Sequence, residues 1–131
     1  MKKAFLSQEA PAPIGPYSQA IKAGKIFYIS GQIAIDPATG DLVTKDIEAE
    51  THQVLKNLGA ILRSAELDYS NVASCTVYVT DMNLFSRINA VYTTYFNSDV
   101  PPARALVQVS ALPKFVNIEI SAIAHFDKKA K

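Results

Sequence analysis

The stretch "NVASCTVYVTDMNLFSRINAVYTTYFNSDVPPARALVQV", residues 71–109, decides the fold. Its hydrophobic period changes twice. From Asn71 to Thr80, Cys75, Val77 and Val79 recur every second residue among β-formers, which predicts a strand. Over about 83–97, Leu84, Phe85, Ile88, Val91, Tyr92, Tyr95 and Phe96 recur at three- and four-residue steps, which predicts an amphipathic helix. The two-residue period returns over about 103–110, after Pro101-Pro102. A strand, a helix and a strand set this close together bury the helix stripe on one sheet.

Working outward, an earlier helix is predicted over about 46–66. Ile47, Val54, Leu55, Leu58, Ile61, Leu62 and Ala65 form its stripe. Asp46, Glu48 and Glu50 at its start and Arg63 near its end suit the helix dipole. Before it lie "KIFYIS" (25–30), which follows the Ala23-Gly24 turn signal, and the turn "DPATGDL" (36–42). Pro11, Pro13, Gly15 and Pro16 punctuate the early chain. After Pro113-Lys114, a last strand is predicted over about 117–126. The order predicts an α+β fold in one domain, residues 1–131, with a single mixed β-sheet and two helices on one face.

Strand periodicity then assigns faces. Ile118, Ile120, Ala122 and Ala124 point toward the helices, and Glu119, Ser121 and Ile123 point away. In the preceding strand Arg104, Leu106, Gln108 and Ser110 oppose Ala105, Val107 and Val109. Arg104 and Leu106 are expected on the uncovered face, beside Glu119 and Ile123. A half-apolar face of that kind is expected to meet another subunit. The alternative is a sheet with one solvated face.

Composition bounds the function. The chain has 131 residues, 49% of them apolar, and a formal net charge of +1. No Lys/Arg run resembles a nucleic-acid groove, and the basic end Lys128–Lys131 is expected to be a solvated tail. No stretch approaches a membrane span. A single cysteine, Cys75, permits no intrachain disulfide and suits a reducing compartment, so a cytoplasmic location is expected. Cys75 sits in a strand-like run, as a small buried hydrophobe does. His52, His125 and Cys75 have no metal-ligand spacing, so no metal is expected.

Several stretches together resemble the Rid (reactive-intermediate deaminase, RidA/YjgF) family. They are "APIGPYSQAIKAG" (12–24), "ISGQIAIDPATGDLV" (29–43), "QVLKNLGAIL" (53–62), "VTDMNLFSRINAVYTTYF" (79–96), "PPARALVQVSALPK" (101–114) and "NIEISAIA" (117–124). They are colinear over nearly the whole chain and are most similar to the imine-hydrolysing branch. The resemblance implies a chorismate-mutase-like fold and a homotrimer whose sheets face inward, with ligand sites in the clefts between subunits. It implies hydrolysis of 2-imino acids, by-products of pyridoxal-phosphate dehydratases, to 2-keto acids and ammonia. That imine chemistry implies no cofactor, because a protonated imine is already a good electrophile.

The resemblance also implies site residues. Arg104 matches the family's carboxylate-binding arginine, whose planar fork suits a carboxylate; the plain alternative is an ion pair. Glu119 matches the family's acid, and burial would raise its pKa toward acid–base work; its alternative is a salt bridge, to Arg104 or across an interface. Tyr17 matches the site tyrosine, or is a core residue. Ser30-Gly31 matches a place where backbone approaches the ligand, or is a turn. Asn89 matches an ordering asparagine, or is a solvated helix residue. Leu106 stands where many members carry cysteine, so a thiol there is not part of the chemistry. A non-catalytic trimeric module that senses 2-keto acids, or binds proteins, is the competing class. RNA cleavage finds no basic groove or paired histidines in the sequence.

Overall fold

The computed structural model describes residues 1–126, and the basic tail at 128–131 lies outside them. The strands are β1 (Lys2–Phe5), β2 (Ala20–Ala23), β3 (Ile26–Gln32), β4 (Val72–Val79), β5 (Ala103–Gln108) and β6 (Ile118–His125), and the helices are α1 (Ile47–Ser64) and α2 (Phe85–Tyr95). One sheet holds the strands in the order β1-β2-β3-β6-β4-β5. β4 and β5 run parallel and the other neighbours antiparallel. A parallel pair cannot be joined by a tight turn, so α2 makes the crossover between β4 and β5. The sheet is mixed, as expected.

α1 begins where the Asp46 side chain accepts from Ala49 N at 2.7 Å, the bond that caps an otherwise unsatisfied first turn. Its Val54, Leu55, Leu58, Ile61 and Leu62 are fully buried in one cluster with Phe27, Val77, Val79, Ile118 and Ile120. Each such side chain contributes about 1.5–3 kcal/mol by leaving water. Glu50 departs from the dipole reading, because its side chain is buried rather than solvated. It falls in phase with Ile47 and Val54 on the buried stripe, so helical geometry carries it inward.

α2 starts at Phe85, after a short turn over Met82–Leu84 that Asp81 caps by accepting from Asn83 N. Ile88, Val91, Tyr92 and Phe96 are buried as the stripe predicts, but Phe85 is 39% exposed. It lies at the helix's first turn, at the edge of the packed surface. No described helix is long and apolar enough to cross a membrane.

The face assignment of β6 holds, and that of β5 is reversed. Arg104 pairs with Cys75 and Leu106 with Val77 in the parallel register, so both lie on the helix side. Val107 pairs with Tyr78, which pairs with Glu119, so these lie on the open face. The residue period separates two sets on a strand without saying which set faces the core. Leu106 and Val107 are both apolar, and the register decides between them. Leu106 packs against the core, and Val107 is 40% exposed.

Candidate active site

The acid side of the site is built from backbone irregularity. Between Ile29↔Ala122 and Gln32↔Ile120 the β3–β6 register slips, so Ser30 and Gly31 together face Ser121. This bulge kinks β3 beside Glu119. A Cβ on Gly31 would lie 2.7 Å from Glu119 Cδ and 3.1 Å from Cγ. Only glycine leaves the carboxylate room there. Ser30 secures the bulge: its N donates to Gln19 O at 2.9 Å and its Oγ to Ser18 O at 2.6 Å. Tyr17, Ser30, Gly31, Pro113 and Glu119 line a cavity of about 280 Å³. Glu119 is half-buried in its wall, and desolvation raises its carboxyl above the ordinary range.

Two buried side chains outside the cavity hold this arrangement. Glu50 Oε2 accepts from the backbone N of Asn117 and Ile118 at 2.7 and 3.2 Å, and Oε1 from Asn117 Nδ2 at 2.7 Å. The strand that carries Glu119 is thus anchored at its first residue. Gln19 Oε1 accepts from Ser7 N, and Nε2 donates to the carbonyls of Ser7, Ala10 and Pro11. These bonds fix the loop that ends in Tyr17. Tyr17 Oη accepts from Ile14 N at 3.3 Å, which leaves its proton for another acceptor.

The arginine side is built from a helix face. Phe85, Asn89 and Tyr92 recur at four- and three-residue steps along α2 and meet Arg104 on β5. Arg104 Nη1 donates to Asn89 Oδ1 at 2.8 Å. Its Cζ lies over the Tyr92 ring at 4.7 Å and the Phe85 ring at 5.8 Å. Among the described residues Arg104 makes no ion pair, and it is exposed. The neighbouring Cys75 is 2% exposed, and burial pushes its thiol pKa up.

The structure therefore brings Tyr17, Ser30, Gly31 and Glu119 together, and separately Arg104 with Asn89. The two groups lie on opposite faces of the sheet, so the salt bridge between Arg104 and Glu119 within one chain does not form. Asn89 is no idle helix residue, because it holds the guanidinium. The sequence reading missed Glu50, Gln19, Pro113 and the contact of the Tyr92 ring with Arg104. Only Glu50 left a signal, by its phase on the α1 stripe.

Fold and surfaces define a class: an α+β protein whose mixed sheet carries its helices on one face, with a fork-shaped cation on that side and an acid of raised pKa on the other. The chain belongs to the Rid (YjgF/RidA) family: the family model described as Endoribonuclease L-PSP matches residues 7–126. A RutC family protein of Pyrococcus horikoshii is 53% identical over 125 residues, which is 95% of this chain and 98% of the relative. The 2-iminobutanoate/2-iminopropanoate deaminase of Mus musculus is 48% identical over 124 residues, 95% of this chain and 91% of the relative. Among solved structures, E. coli TdcF with bound serine superposes with a TM-score of 0.91 at 38% identity, covering 95% of this chain and 99% of that one.

Proposed function

We propose that this protein is a cofactor-independent hydrolase of 2-imino acids such as 2-iminobutanoate and 2-iminopropanoate, working as a homotrimer. One observation carries the reading: a positioned Arg104 fork with no ion-pair partner among the described residues stands on one sheet face, and an acid of raised pKa beside a cavity on the other. Neither half makes a site alone. Arg104 of one copy set against the cavity of the next completes it, and a ring of such contacts closes as a cyclic oligomer. The deaminase names of the mammalian relatives support the reaction. The serine held by TdcF supports the ligand class, because it too carries a carboxylate beside a nitrogen-bearing carbon.

In this scheme Arg104 binds the carboxylate. The Gly31 backbone and the Tyr17 hydroxyl orient the imine, and Glu119 takes a proton from water as its oxygen adds to the C=N carbon. The imine reacts in its protonated form, so addition gives a neutral carbinolamine. Glu119 returns the water proton to its nitrogen, the C–N bond breaks, and ammonia leaves with its electron pair as the hydroxyl oxygen forms the C=O. The hydroxyl proton passes to Glu119, giving the 2-keto acid. Burial raises the Glu119 pKa, the direction that favours both transfers. Positioning supplies the rest of the acceleration.

The test is a threonine dehydratase assay with semicarbazide as imine trap. Wild-type protein lowers the trapped imine, and Arg104→Ala and Glu119→Ala restore it. If wild type leaves trapping unchanged while 2-ketobutyrate still binds at Arg104, the cleft is a ligand sensor. A sensor needs the fork but not the acid.

A further inference from the structure

Tyr92 is the observation that the reaction scheme does not use. Its ring lies 4.7 Å from the Arg104 guanidinium carbon, and its side chain is only 7% exposed. Its hydroxyl is buried with no well-formed hydrogen bond, beside the Cys75 thiol. Thus the hydroxyl does not explain where the ring sits. Core packing does, against Phe96 with ring centroids 4.7 Å apart, and the same ring also supports a cation that reaches out of the protein.

The bond to Asn89 adds direction. Asn89 takes Nη1, while Nε and Nη2 have no described protein partner. These two donors form one edge of the guanidinium plane, and a carboxylate accepts two parallel bonds from such an edge. An unsupported arginine spreads over many rotamers and loses that freedom on binding. A guanidinium held over a ring by one side and bonded at one nitrogen has lost most of it beforehand.

We infer that Tyr92 is a positioning residue for carboxylate recognition: with Asn89 it orients Arg104 so that the Nε–Nη2 edge faces the incoming carboxylate. This rests on the carboxylate-clamp reading of Arg104 but not on turnover. The ring face is the active element, so phenylalanine replaces tyrosine and leucine does not.

The experiment compares Tyr92→Phe and Tyr92→Leu with wild type, using 2-iminobutanoate turnover and calorimetric binding of 2-ketobutyrate. Tyr92→Phe keeps KM and Kd within about twofold. Tyr92→Leu raises both about fivefold, the upper end of what a cation–π contact at an exposed arginine contributes, with kcat within about twofold. A role in core packing alone lowers Tm in the leucine variant and leaves KM and Kd unmoved, which overturns the inference. If wild type binds 2-ketobutyrate without imine turnover, the deaminase reading fails and the Kd comparison still decides on Tyr92. If wild type binds no carboxylate, both fail.

Should Tyr92→Leu not fold, the wild-type protein supplies the readout by NMR. Arg104 side-chain N–H signals, assigned by their loss in Arg104→Ala, shift upfield from the ring current. They then move on adding 2-ketobutyrate, with Nε–H and Nη2–H moving most. Arg104 signals at ordinary arginine positions, or perturbed only at Nη1, would sink the inference.

Discussion

Two regions carry ionisable groups, and they solve the same positioning problem by different means. Glu119 is placed by backbone. A bulge at Ser30-Gly31 clears its space, and Glu50 pins the first residue of its strand. Arg104 is placed by side chains, Tyr92 beneath it and Asn89 at its tip. A half-buried acid needs a shaped wall, because its pKa depends on what excludes water. A protruding cation needs only a support and a direction. Backbone placement tolerates little substitution; side-chain placement degrades in steps.

The most severe break is to remove either group. Arg104→Ala and Glu119→Ala are each expected to lower kcat/KM at least about a hundredfold, a loss in line with removing a charged transition-state contact. Mixing the two inactive variants after unfolding and refolding them together sharpens the contrast. If the halves come from different copies, random assembly restores about a quarter of wild-type activity, because one contact in four pairs an intact Arg104 with an intact Glu119. A mixture as inactive as its components means that each site is built within one chain.

Gly31→Ala attacks the backbone side without touching a charge. The new methyl group forces Glu119 aside, so kcat is expected to fall about tenfold or more while Tm changes by only a few degrees. On the side-chain side, Asn89→Asp gives Arg104 an internal carboxylate that competes with the ligand. It is expected to raise KM about tenfold, against about threefold for Asn89→Ala. Equal effects of the two variants mean that the Arg104–Asn89 bond does not direct the fork.

The smallest effect concerns stability. The folded-state pKa of Glu119 is raised by desolvation, so the fold holds its proton more tightly than the unfolded chain does. The ionised group therefore weakens the fold above its folded pKa, and that penalty fades as pH falls through the folded pKa to the unfolded value. Glu119→Gln is expected to raise Tm by about 2 °C at pH 7 and to match wild type below about pH 4. A Gln variant less stable than wild type at pH 7 means that the carboxylate is well solvated or paired.

The helices and the order of elements from β3 onward were legible because α1 and α2 carry clean apolar stripes and the intervening strands alternate, whereas β1 at Lys2–Phe5 is too short to show a period. The bulge was foreshadowed by Gly31, but its consequence required the register between β3 and β6. The face of Arg104 was not legible. Alternation divides β5 into two sets, and only its pairing with β4 says which set packs under α2. Tyr92 illustrates the limit from the other side. A tyrosine on an apolar stripe has the same sequence pattern whether its ring fills a core or supports a cation, and here it does both. Gln19 left no trace at all, since its partners are carbonyls that any residue carries.

That last feature has a bearing on how the protein can vary. The loop before Tyr17 is tethered by one buried amide that reads only main-chain atoms of Ser7, Ala10 and Pro11. Side chains at Gln8, Glu9 and Ala12 contribute nothing to that tether. Gln8 can be changed while Tyr17 keeps its place, and a change at Glu9 removes only its exposed 3.7 Å pair with Arg63, whereas a change at Gln19 would release the loop as a unit. Diversity in surface chemistry around the cavity mouth is thereby uncoupled from the geometry of the cavity itself.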